Sequence, residues 1–243
     1  MKKSVYKITV LTLFPEFVAD YAKFGIIQRA IQNKLIQIEG LNLREFGLDA
    51  RQTVDDRPYG GGVGMVLRPD VVYKAIQAWR KKQKSKKTRV ILMSPQGKVF
   101  SQKLAQGLTK YDSILFVCGR YVGFYERILK FVDEEISIGD YVLMGGELPA
   151  LVITESLIRL VPGVVGKFES TEHESFSERL LEYPQYTKPE AWSIKLKTKS
   201  GELKVKTFKV PDVLRSGNHA KINTWRNEEA LKRTKKRRPD LLT

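Results

Sequence analysis

Along the first two thirds of the chain, continuous apolar runs alternate with stretches whose apolar residues recur every three or four positions. Tyr6–Phe14 (YKITVLTLF) is β-branched and apolar, and predicts a buried strand ended by Pro15. Pro15 suits the first turn of a helix; Phe17, Val18, Tyr21, Ile26, Ile27, Ala30 and Ile31 follow at roughly helical spacing, interrupted near Gly25. Ile36–Leu43 predicts a second strand, and Arg51–Leu67 a loop too glycine-rich for a packed element. Pro69–Trp79 reads as a helix, and Arg89–Ser94 and Ser113–Cys118 as continuous apolar strands. Between those strands, Ser101–Leu108 reads as a short helix capped by Ser101. Gly123–Val132 is read as helical, Glu135–Ile138 as a short strand and Glu147–Leu160 as a strong amphipathic helix. Strands alternating with helices predict an α/β fold with a parallel sheet covered on both faces.

After Pro162-Gly163 the pattern stops. Gly166–Ser177 is polar and weakly patterned, which suits a linker. A hairpin is predicted next, Ser193–Lys199, turn Ser200-Gly201, then Leu203–Lys209, followed by a basic amphipathic helix over His219–Lys235. The expected organisation is residues 1–165 as an α/β domain, 166–178 as a linker, and 179–243 as a small, mostly helical C-terminal domain carrying the hairpin.

The 243 residues carry 43 Lys and Arg against 27 Asp and Glu, a net charge of +16. That excess is local. Arg80–Arg89 holds seven basic residues and no acid, Trp192–Thr243 holds fifteen against five, and the rest is near balance. A charge run such as Arg80–Arg89 is equally well a solvated helix end. In the C-terminal block, however, Trp192, Phe208, Asn218, His219, Asn223 and Trp225 interleave with the charges, a combination that serves phosphates and bases together. One cysteine excludes an internal disulfide, and one cysteine with two histidines argues against a Cys/His zinc site. No apolar run approaches the ~20 residues of a membrane span and no cleavable leader is apparent, so a cytoplasmic protein is expected.

The G-x-x-x-x-G-K-[ST] and G-x-G-x-x-G signatures are absent. Cys118, at the end of an apolar strand, reads as buried and inert. Three glycine-bearing segments each follow a predicted strand: Met93-Ser94-Pro95-Gln96-Gly97, Cys118-Gly119-Arg120-Tyr121, and Ser137–Pro149 (SIGDYVLMGGELP). In open α/β sheets ligands bind beyond the carboxyl ends of the strands, and glycines let backbone groups approach them. Three tight turns would need the same glycines; their convergence favours a site for a small organic ligand.

These segments occur in order with Asp55–Met65 (DDRPYGGGVGM), Pro162-Gly163-Val164, Glu174-Ser175-Phe176, Leu180–Pro184, Tyr186–Pro189, Ser216–His219 and Arg237–Leu242. Together they resemble the bacterial tRNA (guanine-N1)-methyltransferases of the SPOUT class across nearly the whole chain. The resemblance implies a deep trefoil knot formed by the three loops, S-adenosylmethionine bound in it, and a homodimer in which each site combines the knot of one subunit with the C-terminal domain of the other. It implies methylation of N1 of tRNA guanosine 37, just 3′ of the anticodon. Donor contacts would fall on Met93, Ser94, Pro95, Gly119, Tyr121, Ser137, Ile138, Gly139, Asp140, Tyr141, Val142, Leu143, Gly145 and Gly146. Glu174 stands where the family has its aspartate general base, Arg159 matches the arginine that steadies guanine O6, and Lys188, Arg215, Asn218 and His219 fall on the tRNA-facing side. Magnesium use is also implied, although no ligand cluster marks a site.

The match departs from the family at several points. Val122 and Tyr125 replace two acids, Arg179 a glycine, Lys188 an arginine and Arg215 an apolar residue. A second reading therefore stays open, a tRNA-binding protein on the same fold with impaired catalysis; the linker and C-terminal matches argue against a third, another SPOUT methyltransferase with an altered RNA target. A membrane-surface role is disfavoured because the basic C-terminal helix lacks a broad apolar face.

Overall fold

The structure is a computed structural model describing residues 5–120, 126–165, 174–176, 179–197 and 202–242. Within it, residues group into two compact units, Met1–Phe168 and Glu169–Thr243.

The first unit is built on a parallel five-stranded sheet. Its strands are β1 (Tyr6–Thr12), β2 (Ile36–Asn42), β5 (Thr88–Val99), β6 (Ser113–Cys118) and β7 (Glu134–Ser137), in the order β2-β1-β6-β5-β7. The connecting helices are α1 (Pro15–Tyr21), α2 (Gly25–Gln32), α3 (Pro69–Lys82), α4 (Gln102–Leu108) and α5 (Glu147–Arg159). β6 lies in the centre and is buried along its whole length. Ile114, Phe116 and Cys118 face a core shared with α2, α4 and α5, while Leu115 and Val117 face one shared with α3. Burial on both faces explains why this strand is uniformly apolar rather than alternating.

β1 ends two residues before the predicted Phe14, because the Thr12 hydroxyl accepts a hydrogen bond from the Phe14 backbone N–H at 3.0 Å and turns the chain. The predicted Arg51–Leu67 loop is closed at its base by a short antiparallel pair, β3 (Asp55–Asp56) with β4 (Val66–Leu67). β5 runs beyond Ser94, through Pro95 and on to Val99, with its register against β7 shifting between Met93 and Lys98. Gly97 permits that: a Cβ there would lie 2.5 Å from the Glu135 carbonyl carbon. The helix predicted over Gly123–Val132 is instead a 3₁₀ helix over Glu126–Phe131; residues 121–125 lie outside the described residues. Ser101 caps α4 as expected, its hydroxyl accepting from the Leu104 N–H at 3.3 Å.

The second unit contains an antiparallel pair, β8 (Ala191–Lys197) with β9 (Leu203–Lys209), then α6 (Asp212–Arg215) and α7 (His219–Arg237). The predicted Ser200-Gly201 turn lies outside the described residues. Asn218 caps α7 by accepting from the Lys221 N–H. Segment 179–189 is fastened to α7: Thr234 Oγ accepts from the Leu181 N–H at 2.9 Å, Arg226 stacks on Tyr183, and Trp225 meets Tyr186. Arg179, where the resembled family has glycine, adopts φ +60°.

Candidate active site

The carboxyl ends of β5, β6 and β7 open into a cavity of about 230 Å³ in the first unit. It is lined by the ends of those strands and by the segments that follow them. Met93, Ser94, Pro95, Gly119, Ser137, Ile138, Gly139, Tyr141, Val142, Leu143, Gly145 and Gly146 all line it, so twelve of the fourteen expected donor contacts converge there. Asp140 does not line the cavity; its side chain is exposed beside it. Tyr121 lies outside the described residues, as do Val122 and Tyr125.

Two local devices hold the walls. The Ser137 hydroxyl accepts from the Gly139 N–H and donates to the Gly139 carbonyl, both at 3.1 Å, which ties the turn after β7 to the strand end. Gly146 donates its N–H to the Gly119 carbonyl at 3.0 Å and packs so closely that a Cβ would lie 2.9 Å from Cys118 Cα. Only a residue without a side chain lets the third loop lie on the second.

Beneath that contact is a buried ionic cluster that the sequence pattern did not single out. Glu147, the first residue of α5, has a side chain only 3% exposed and accepts from the Thr12 hydroxyl at 2.7 Å. Its other oxygen lies 3.1 Å from the Arg120 guanidinium, which in turn stacks on the Phe14 ring at 4.6 Å. Arg120 lines the cavity, as do Glu126 and Glu135, which bring two carboxylates to it. Burial pushes the neighbouring Cys118 thiol well above its ordinary range; Glu147 adds to that and Arg120 opposes it. Cys118 is therefore a packing residue.

Arg159 is exposed in the last turn of α5. Glu174 belongs to the second unit and is half-buried. His173, a fallback base by its place in the sequence, lies outside the described residues. Of the residues expected to face RNA, Lys188 and His219 are exposed and Asn218 spends its side-chain oxygen on the α7 cap. Arg215 is paired with Glu190 at 2.7 Å and Asp212 at 3.2 Å. Among the described residues no group of three or more His, Cys, Asp or Glu side chains is placed to hold a metal, and no helix is long and apolar enough to cross a membrane.

Residues 6–243 match the family model described as tRNA (Guanine-1)-methyltransferase TrmD. The chain belongs to the tRNA (guanine-1)-methyltransferase family. It is 47% identical over 235 residues to the tRNA (guanine-N(1)-)-methyltransferase of Thermotoga maritima, covering 97% of this chain and 89% of that one. Proteins of the same name from Staphylococcus carnosus (48% over 237 residues, 97% and 90% covered) and Dictyoglomus turgidum (45% over 236 residues, 97% and 89%) are similarly related. Membership in the tRNA (guanine-1)-methyltransferase family makes the chain an enzyme of the methyltransferase class, and it gives no support to the reading in which catalysis is impaired.

Proposed function

We propose that the protein transfers a methyl group from S-adenosylmethionine to N1 of guanosine 37 in tRNA, beside the anticodon, in the cytoplasm. The observation that carries this reading is the convergence of three glycine-bearing loops on one cavity, in a chain of this family. The cavity's chemistry suits the donor. Gly119, Gly139, Gly145 and Gly146 let backbone approach a purine edge, apolar Ile138, Val142 and Leu143 suit its faces, and Glu126 and Glu135 suit a cationic tail; all of them line the cavity. When bound, S-adenosylmethionine supplies an electrophilic methyl group on a positively charged sulfur. The loops are inferred to thread as a deep trefoil knot.

Guanine N1 carries a proton at neutral pH and is a poor nucleophile until it leaves. Glu174 takes that proton as general base, and Arg159 steadies O6, where negative charge develops. Lys188, Arg215, Asn218 and His219 position the anticodon stem-loop. A homodimer would place Glu174 of one copy with the loops of the other. Exposed Phe14, Phe17, Leu148 and Val152 offer the apolar surface such an association needs. Magnesium finds no ligand cluster among the described residues, and no step is assigned to it.

Single-turnover methylation of unmodified tRNA tests the roles. Glu174→Gln should lower the rate by about 10²- to 10⁴-fold with little change in tRNA affinity. An unchanged rate would remove Glu174 as the base, and no transfer by the parent protein at any donor concentration would remove the function.

A further inference from the structure

We propose that the β8–β9 ribbon is an RNA-docking surface whose aromatic face stacks an unpaired nucleotide of the tRNA other than the guanosine that is methylated. The proposal rests on the tRNA reading above and gives a task to a part of the chain that the methyl transfer does not use.

The antiparallel register sets Trp192 opposite Phe208, Ile194 opposite Lys206 and Leu196 opposite Lys204. Directly opposed residues share a face, so these six side chains form one surface. The Trp192 and Phe208 ring centroids are 5.7 Å apart, and the Lys206 ammonium lies 5.1 Å from the Phe208 centroid. Trp192 is 57% exposed and Phe208 42%. No residue of either strand is buried; Ile194 is partly buried and every other one is exposed. An isolated two-stranded ribbon is marginal in water, and a tryptophan beside a phenylalanine on its open face is surface awaiting a partner.

Charge selects the partner. Residues 191–209 carry six lysines and a single acid, Glu202. A ribbon of that charge repels a second copy of itself and complements a polyanion. Aromatic rings flanked by ammonium groups are how single-stranded RNA is held: bases stack on the rings while the cations neutralise the adjoining phosphates. Lys204 and Lys206 share the aromatic face; Lys195 and Lys197, opposite Val205 and Leu203, lie on the other.

The two faces supply the test. Binding of fluorescently labelled tRNA to the full chain is measured by anisotropy across a salt series, beside the single-turnover methylation rate at saturating tRNA. Trp192→Ala with Phe208→Ala should weaken binding about tenfold or more and leave the saturated rate within twofold, and Trp192→Phe should retain most of the affinity. Lys204→Gln with Lys206→Gln should lower the slope of log K against log salt by about 1.5, whereas Lys195→Gln with Lys197→Gln, equal in charge, should lower it less. Circular dichroism checks that each variant keeps its fold; should the alanine pair disturb the ribbon, the two glutamine pairs still decide. Unchanged affinity in the aromatic variants, or equal effects from the two faces, overturns the proposal while leaving a methylating parent intact. A changed sedimentation mass with unchanged tRNA affinity also overturns it, in favour of a protein partner.

Discussion

Replacing Glu147 tests whether the loops over the cavity are anchored from below. Its carboxylate accepts from Thr12 and faces Arg120, at 3% side-chain exposure against 28% for the arginine. Breaking a buried pair by removing one partner costs about 3–5 kcal/mol, because the other charge stays desolvated. Arg120 is more than a quarter open and regains some water, which moves the ionic loss toward about 2 kcal/mol; the stranded Thr12 hydroxyl adds about 1 kcal/mol. Glu147→Ala should therefore destabilise the fold by about 3 kcal/mol, a fall in the urea midpoint on the order of 1–1.5 M. Glu147→Gln, which keeps an acceptor for Thr12, should lose roughly half as much. Arg120 also bridges to Gly145 through the backbone, so both variants should weaken S-adenosylmethionine binding, read by calorimetry. The decisive assay is a double-mutant cycle of Glu147→Gln with Arg120→Met. A coupling above about 1 kcal/mol is expected, and additivity within about 0.5 kcal/mol would refute the anchor.

Two further outcomes follow from single residues. The Cys118 thiol is raised by burial, so the folded state keeps its proton at a pH where the unfolded chain, with an ordinary value of about 8.5, has lost it. That contribution is complete below about pH 8.5 and declines as pH rises; urea midpoints should fall between pH 8.5 and 9.5 more steeply in the parent than in Cys118→Ala, and equal slopes would contradict the assignment. Arg179 pays for its left-handed backbone at φ +60°, so Arg179→Gly should raise stability by about 0.5–1 kcal/mol; a loss would mean its side-chain contacts outweigh the strain.

How far the fold was legible depends on where each element draws its stability. β6 was read to the residue because burial on both faces leaves an unbroken apolar run with sharp ends. Where the 3₁₀ segment Glu126–Phe131 forms, the sequence predicts a longer helix, because Ile128 and Leu129 suit a turn of either pitch. The sequence predicts β5 only as far as Ser94 because a proline and a glycine ordinarily end a strand; Gly97 continues it by pressing against β7, a long-range contact that no local pattern records. The same distinction holds at the cavity. Glycine loops after strands announce themselves, whereas Glu147 reads as an ordinary acid in a helix's first turn. Its burial depends on Thr12, 135 residues away. The positive charge of the C-terminal block is visible as composition, whereas the engagement of Asn218 and Arg215 within their own unit is a property of the fold.

The central claim is a specific atom on a specific nucleotide. Incubating the purified protein with labelled S-adenosylmethionine and an unmodified tRNA transcript, then identifying the methylated nucleoside and its position by mass spectrometry, tests it most directly. The account predicts 1-methylguanosine at position 37 and no product when that guanosine is replaced by adenosine. A methyl group found on another atom or at another position, or no transfer at all, would contradict it.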